Sequence, residues 1–211
     1  AYGGSLSNGF LLSKSSGNLL TGNQAYSNGG GIGFYLLLSS GNVLTSNQAY
    51  SNPSADGFSV NSGKYNVFNF NEAYSNGTNG FALNSSRLNT FNSNRSYFNA
   101  TGGFDLTSSD GNTFSSNKAY ANTGDGYKIS SSTANFFNSN QVYSQTGESG
   151  FEVVTGFYNF FLSNEIYSNS NAFSFTFADH SVVVGNRMYS NGTGGFVSIS
   201  HNLTFASNHI Y

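Results

Sequence analysis

The 211-residue sequence predicts an all-β solenoid in which short parallel strands stack in about nine rungs of 22–24 residues. Two observations predict it. An asparagine recurs at this spacing along the whole chain, and apolar residues within each repeat alternate with a period of two. A period of two places alternate side chains on opposite faces of a strand. Three short strands per repeat cannot enclose a core alone, so successive repeats have to stack.

Three polar columns run through the repeats. The Asn23 column contains Asn23, Asn47, Asn71, Asn94, Asn117, Asn140, Asn164, Asn186 and Asn208. The Asn18 column contains Asn18, Asn42, Asn66, Asn89, Asn112, Asn135 and Asn159, and the Asn28 column contains Asn28, Asn52, Asn76, Asn99, Asn122, Gln145, Asn169 and Asn191. An inward asparagine at a turn hydrogen-bonds the backbone and the amide of the next rung, which satisfies buried polar groups. We therefore interpret these columns as structural.

Apolar columns predict the core. One contains Phe10, Phe34, Phe58, Phe81, Phe104, Tyr127, Phe151, Phe173 and Phe196, and the other contains Leu20, Leu44, Phe68, Phe91, Phe114, Phe137, Phe161, Val183 and Phe205. A third column grows from Ala25 to Ile210 along the chain and is also expected to face inward. Side chains of one kind stacked at rung spacing form continuous apolar ladders.

The repeat consensus G-F-x-L, S-S-x-N-x-F and N-x-A-Y-S-N resembles the repeats of the pectate-lyase-like superfamily, especially its short-repeat carbohydrate-binding, sugar-hydrolase and surface proteins. The resemblance implies a right-handed parallel β-helix over residues 1–211, as a single domain with three short strands per rung. Because such repeats occur in enzymes, adhesins and scaffolds alike, it does not select a function.

Both ends of the chain fall in the middle of a rung. Ala1-Tyr2 and Ile210-Tyr211 are the same step of the repeat, and neither carries a polar cap. Proteins normally cover such strand edges. We therefore expect the uncapped ends to be continued by flanking sequence of a longer chain or by another copy stacked end to end.

A tyrosine follows each inward residue of the third core column and is expected to face outward. The members are Tyr26, Tyr50, Tyr74, Tyr97, Tyr120, Tyr143, Tyr167 and Tyr189. Three interpretations remain open for this Tyr column: cross-rung stacking that stabilises the strands, an assembly face, or a face that contacts glycans.

Composition excludes several classes of function. Seven Lys and Arg against nine Asp and Glu give a net charge of −2, which disfavours electrostatic binding of nucleic acid. The chain has no cysteine, so disulfides, thiolate metal sites and a thiol nucleophile are excluded. The longest apolar run, residues 34–38, is too short for membrane insertion. His180, His201 and His209 share no metal-ligand spacing, so we expect no metal site and no cofactor.

Charged residues at equivalent positions in adjacent repeats suggest ion pairs between rungs. One outward position carries a charged residue in three consecutive repeats: Asp105, Lys128 and Glu152. We expect Asp125 and Glu148 on loops beside them. The trio has two interpretations: a surface ion ladder that fixes the register, or the weak candidate for a catalytic acid–lysine–acid set.

N-x-S/T sequons predict glycosylation. Asn76, Asn99 and Asn191 are expected at the variable corner and accessible, and Asn84 and Asn202 are further candidates. Glycans would solubilise a chain in which only 8% of residues are charged, which fits an extracellular or cell-surface location.

The sequence favours a non-enzymatic extracellular solenoid that forms or decorates a cell-surface filament, sheath or stalk. Its partners would be further copies of itself, flanking domains, or glycans. The alternative is a carbohydrate-binding or polysaccharide-cleaving β-helix, either a lyase or hydrolase or a viral spike, that uses the Tyr column or the trio.

Overall fold

The computed structural model describes residues 7–193 and 195–211, and within them every regular element is a β-strand. Each rung contributes one strand to each of three parallel sheets. Sheet 1 contains β1 (Phe10–Ser13), β4 (Phe34–Leu37), β7 (Phe58–Asn61), β10 (Phe81–Asn84), β13 (Phe104–Thr107), β16 (Tyr127–Ser130), β19 (Ser149–Val154), β22 (Asn171–Thr176) and β25 (Phe196–Ser198). Sheet 2 contains β2 (Leu19–Thr21), β5 (Val43–Thr45), β8 (Val67–Asn69), β11 (Thr90–Asn92), β14 (Thr113–Ser115), β17 (Phe136–Asn138), β20 (Phe160–Leu162), β23 (Val182–Val184) and β26 (Thr204–Ala206). Sheet 3 contains β3 (Gln24–Tyr26), β6 (Gln48–Tyr50), β9 (Glu72–Tyr74), β12 (Arg95–Tyr97), β15 (Lys118–Tyr120), β18 (Gln141–Tyr143), β21 (Glu165–Tyr167), β24 (Arg187–Tyr189) and β27 (His209–Ile210).

The register of the sheets places equivalent residues of successive rungs side by side. Phe81 of β10 pairs with Phe58 below it and with Phe104 above it, and the other sheets follow the same rule. The predicted nine-rung β-helix is therefore confirmed. The Ala1-Tyr2 step lies outside the described residues, as does the side chain of Phe196.

The three asparagine columns form hydrogen-bonded ladders, as predicted. Asn71 shows the pattern: its backbone N and its Nδ2 both donate to Oδ1 of Asn94, at 2.9 and 3.0 Å. Its Nδ2 also donates to the backbone carbonyl of Leu44, at 2.9 Å. Each asparagine side chain thus hydrogen-bonds a buried backbone group and links its rung to the next one.

The core consists of stacked aromatic rings. Phe81 stacks on Phe104 with ring centroids 4.8 Å apart, while Phe91 of sheet 2 meets the Phe81 ring edge-on at 6.0 Å. Both arrangements are favourable aromatic geometries. The column from Ala25 to Met188 is buried against them, which confirms its predicted inward direction.

The glycine before the first strand of a rung allows the loop to pass close to the core. A Cβ on Gly103 would lie 2.6 Å from the carbonyl oxygen of Gly126 and 2.9 Å from Cβ of Ala119. No larger residue fits there without moving the backbone. In the rungs that carry it, this glycine therefore fixes how the long loop, which runs from sheet 3 to sheet 1, enters the next strand; the rung of β22 has Ala172 instead.

Within residues 7–193 and 195–211, there is no helix with the length and hydropathy needed to span a membrane.

Candidate functional site

A cavity of about 290 Å³ lies over the outer face of sheet 1, where the long loops border the strands. Its floor is formed by Asp105 on β13, Lys128 on β16 and Glu152 on β19, which are direct neighbours in the sheet register. The remaining lining comes from the loops and contains Asn79, Thr101, Gly102, Gly124, Asp125 and Glu148. The five charged residues singled out by the sequence pattern thus surround one cavity.

Lys128 and Glu152 form the ion pair of this site. Nζ of Lys128 lies 2.7 Å from Oε2 of Glu152, and both side chains are partly exposed. The bond to Glu152 raises the pKa of Lys128, so the lysine is an ammonium at neutral pH. Asp105 lies on the other side of Lys128, and its Oδ1 accepts a hydrogen bond from Oγ1 of Thr107 at 3.2 Å. Burial raises the pKa of Asp105.

Asp125 is held by the loop between β15 and β16. The residue is buried, with 7% of its surface exposed, and its Oδ1 accepts a hydrogen bond from the backbone N of Ser149 at 2.9 Å. Burial and the neighbouring carboxylate of Glu152 raise its pKa to about 7. Asp125 and Glu152 therefore form a carboxyl pair in which one proton is retained near neutral pH, beside an ammonium.

The position of Asp125 belongs to a loop pattern that the sequence reasoning missed. Asp56 and Asn79 occupy the same place in earlier rungs, and each accepts a backbone N–H of the next rung at 3.0 Å. The signal is present as Asp or Asn followed by Gly and then Phe or Tyr, at residues 8–10, 56–58, 79–81 and 125–127. These side chains order the loops that form the wall of the cavity.

The Tyr column is a continuous stack along sheet 3. From Tyr26 to Tyr211, neighbouring ring centroids lie 4.7–5.4 Å apart and the planes differ by no more than 9°. Each ring thus covers the faces of its neighbours. Of the three interpretations, cross-rung stacking is observed, and a sugar that packs on a ring face finds that face occupied along the column.

The expectation that Asn76 and Asn99 are accessible for glycosylation is wrong. Their exposed fractions are 2% and 1%, because the Asn28 column faces the interior. Nδ2 of Asn76 donates to Oδ1 of Asn99 and to the backbone carbonyl of Ala49, both at 3.0 Å. A glycan on that nitrogen would break both bonds and would have no room.

The other sequons differ in their surroundings. Asn191 is partly buried, and its Nδ2 donates to the carbonyl of Ile166 at 3.0 Å, so it is a ladder residue as well. Asn84 is exposed at the end of β10. Asn202 is exposed too, with Nδ2 3.2 Å from Nε2 of His180. Asn84 and Asn202 remain the candidates for modification.

Two further ion pairs join rungs on sheet 3. Arg95 lies 3.2 Å from Glu72, and Arg187 lies 3.3 Å from Glu165, as their equivalent positions suggested. Both arginines are more than half exposed, so each pair contributes little to stability and mainly specifies register.

Two family models match the chain. The family model described as the right handed beta helix region matches residues 3–142, and the model described as the periplasmic copper-binding protein NosD matches residues 99–211. Each covers more than half of the chain, which therefore belongs to both families. Comparison with curated protein sequences found no match.

Solved structures share the fold at low identity. The periplasmic alginate epimerase AlgG aligns with a TM-score of 0.72 and 19% identity, over 85% of this chain and 47% of that one. The A-module of the mannuronan C-5 epimerase AlgE6 from Azotobacter vinelandii aligns with a TM-score of 0.83 and 17% identity, over 92% of this chain and 57% of that one. The Dettilon tailspike protein aligns with a TM-score of 0.63 and 16% identity, over 94% and 50%. The chain thus spans about half the length of these structures.

The side chains present do not fit a copper site. Copper prefers imidazole, thiolate and thioether ligands. The chain has no cysteine, and its one methionine, Met188, is buried in the core. His180 and His201 contact Asn202 and Asp179 respectively, and the described residues contain no group of three or more His, Cys, Asp or Glu that could hold a metal ion.

Proposed function

We propose that the chain is a polysaccharide-binding β-helix and that the cavity over sheet 1 is its binding site. The observation that carries the proposal is the convergence of Asp105, Asp125, Lys128 and Glu152 on one cavity bordered by ordered loops. Carboxylates and an ammonium are the groups that hydrogen-bond the hydroxyls of a sugar. The cavity volume, about 290 Å³, lies near the lower limit for small-molecule sites, about 300 Å³.

The position of the cavity suits an extended ligand. Its floor runs along the stacking direction, over three consecutive rungs of sheet 1. A polymer that lies along the solenoid axis meets equivalent backbone and loop positions once per rung. The solved structures of similar fold include two enzymes named for polysaccharide epimerisation, which supports a sugar polymer as the ligand.

Binding is tested by titrating a panel of neutral, acidic and amino-bearing oligosaccharides into the protein and measuring affinity by calorimetry. Thr101 is exposed at the rim of the cavity, so Thr101→Trp should fill the cavity without disturbing the core. The matched control is Thr21→Trp, which changes an exposed threonine on sheet 2. The proposal requires that Thr101→Trp abolish binding while Thr21→Trp leaves it unchanged. Equal affinity of both variants, or no binding by any oligosaccharide, contradicts it.

The same residues also favour a second candidate function, acid–base catalysis on a polysaccharide. Asp125 holds a proton near neutral pH, Glu152 beside it is a potential base, and Lys128 is a cation for a developing negative charge. Product release from a polysaccharide panel, with and without calcium, tests it. Turnover that Lys128→Ala abolishes would show an enzyme, and the absence of turnover with intact binding would show a binding module.

The filament, sheath or stalk role predicted from the sequence stays a proposal with its own support. Tyr65 and Leu88 follow Lys64 and Arg87, which pair between adjacent rungs, and they are 57% and 45% exposed. Neighbouring exposed apolar side chains are typical of contact surfaces. Sedimentation analysis tests it: concentration-dependent association supports assembly, and a monomer at every concentration contradicts it.

We propose that the protein lies outside the cytoplasm. One matching family model and one solved structure of similar fold are described as periplasmic, which supports this location. Fractionation of the native cells tests this location.

A further inference from the structure

The cavity over sheet 1 carries more negative than positive groups. Asp105, Asp125, Glu148 and Glu152 supply four carboxyl groups, and Lys128 supplies one ammonium. Even when Asp125 keeps its proton, the carboxylates outnumber the ammonium by three to one. A cavity of one charge sign favours ligands of the opposite sign.

The one cation among the described residues of the cavity lining already has an anionic partner. Lys128 is the sole Lys or Arg among the described residues that line it, and its Nζ lies 2.7 Å from Glu152. Arg95 and Arg187 lie on sheet 3 and pair with glutamates there. A sugar carboxylate or sulfate would therefore enter among carboxylates and would compete with Glu152 for Lys128, which is unfavourable.

The cavity also has an excess of acceptors over donors. Asp125 is 93% buried, and its Oδ1 is bonded to the N–H of Ser149. Its close side-chain neighbour is the carboxylate of Glu152, and the pair retains one proton near neutral pH. Glu148 adds an exposed carboxylate at the rim. A ligand that brings donors with positive charge would satisfy these acceptors, because charge-assisted hydrogen bonds are about twice as strong as neutral ones.

We propose that this cavity binds a glycan carrying free amino groups, and that it discriminates against carboxylated and sulfated polysaccharides. The inference rests on the proposed polysaccharide-binding function and specifies its ligand class. An ammonium on the sugar contacts the carboxylates of Asp105, Glu148 and the Asp125–Glu152 pair, while sugar hydroxyls contact Asn79 and the loop backbone. The cavity thus differs in preference from relatives named for alginate, an acidic polymer.

The experiment compares three oligosaccharides of equal length by calorimetry at about pH 6, where a sugar amine is mostly protonated. They are a glucosamine hexamer, its fully N-acetylated counterpart and a galacturonic acid hexamer. The acetylated form keeps the sugar chain, removes the positive charge and adds an acetyl group at each amine, so the carboxylate variant is needed to separate charge from size. We expect the glucosamine hexamer to bind about tenfold more tightly than the acetylated hexamer, and the galacturonic acid hexamer to bind most weakly.

A specificity switch provides the second arm. The double variant Asp105→Asn and Glu152→Gln removes two carboxylates and leaves Lys128 without its partner. Its preference for the glucosamine hexamer over the acetylated hexamer should fall about tenfold, and its affinity for the galacturonic acid hexamer should rise. The matched control is Glu72→Gln, which removes a carboxylate that pairs with Arg95 between rungs of sheet 3, far from the cavity. It should leave all three affinities unchanged, and circular dichroism confirms that the variants are folded.

The outcomes separate this inference from the function on which it rests. Equal or tighter binding of the acetylated or acidic hexamer overturns the amino-glycan preference and leaves polysaccharide binding standing. No binding of any hexamer by the folded wild type overturns both. Loss of amine preference in the Glu72→Gln control also overturns the inference, because the selectivity would then come from the overall charge of the protein.

Discussion

Replacing Asn94 with alanine tests the contribution of the asparagine columns to stability. Oδ1 of Asn94 accepts from N and Nδ2 of Asn71 at 2.9 and 3.0 Å, and its Nδ2 donates to the carbonyl of Phe68 and to Oδ1 of Asn117 at 2.9 and 3.0 Å. In the variant, Nδ2 of Asn71 keeps its bond to Leu44, but the buried backbone N–H of Asn71 has lost its acceptor. An orphaned buried donor costs about 1–3 kcal/mol and each of the three other lost bonds about 1 kcal/mol, so we expect a loss of about 4–6 kcal/mol.

The assay is equilibrium unfolding in urea followed by circular dichroism, with the free energy taken from curves of equal slope. The matched control is Asn23→Ala in the first described rung. Asn23 is only partly buried, and its side chain makes one ladder bond, from Nδ2 to Oδ1 of Asn47 at 3.0 Å. We expect a loss of about 1 kcal/mol or less there. A loss below about 1 kcal/mol for Asn94→Ala, or equal losses for both variants, would refute the ladder argument.

Three further predictions follow from the loops and the site. Gly103→Ala should destabilise the protein by about 1–3 kcal/mol in urea unfolding, because its Cβ would lie 2.6 Å from a carbonyl oxygen. Gly147→Ala, where a Cβ meets open space, should change stability by less than about 1 kcal/mol, and equal effects of the two variants would contradict the close-approach argument. Because the pKa of Asp125 is raised from 3.8 to about 7, the folded state binds a proton that the unfolded state has released between these values, so stability should fall as pH rises from about 4 to about 7. Asp125→Asn should reduce that fall in thermal melts, and an unchanged profile would contradict the pKa shift. After secretion from a glycosylating host, mass spectrometry of the folded protein should find glycan on Asn84 and none on Asn76, and a glycan on Asn76 would contradict its burial.

The solenoid could be predicted from the sequence because every rung repeats the same pattern of buried and exposed residues. A column of asparagines, or of phenylalanines such as Phe81 and Phe104, is visible as a period in the order of the amino acids alone. The inward direction of the Ala25 column followed from simple alternation within a strand. Periodicity therefore determined the core and the register.

The sequence predictions failed where the direction of a side chain matters, because a repeat period does not specify that direction. Asn76 was expected at an accessible corner, yet the backbone turn after sheet 3 directs it inward, and a sequon does not reveal that direction. Cross-rung stacking was one of three open interpretations of the Tyr column, and the choice among them depends on ring orientation, which composition does not specify. The grouping of Asp125 and Glu148 with the charged trio could be predicted from rung spacing. The raised pKa of Asp125 could not, because it depends on burial by the loops and on the distance to Glu152.

The most direct test of the proposed binding site is a map of backbone amide chemical shifts as the glucosamine hexamer is titrated into isotope-labelled protein. The account predicts saturable shifts at Gly102, Asp105, Gly124 and Lys128 around the cavity, with the amides of sheet 3 unchanged. Shifts concentrated along the Tyr column, or none at the cavity residues when the hexamer is bound, would contradict it.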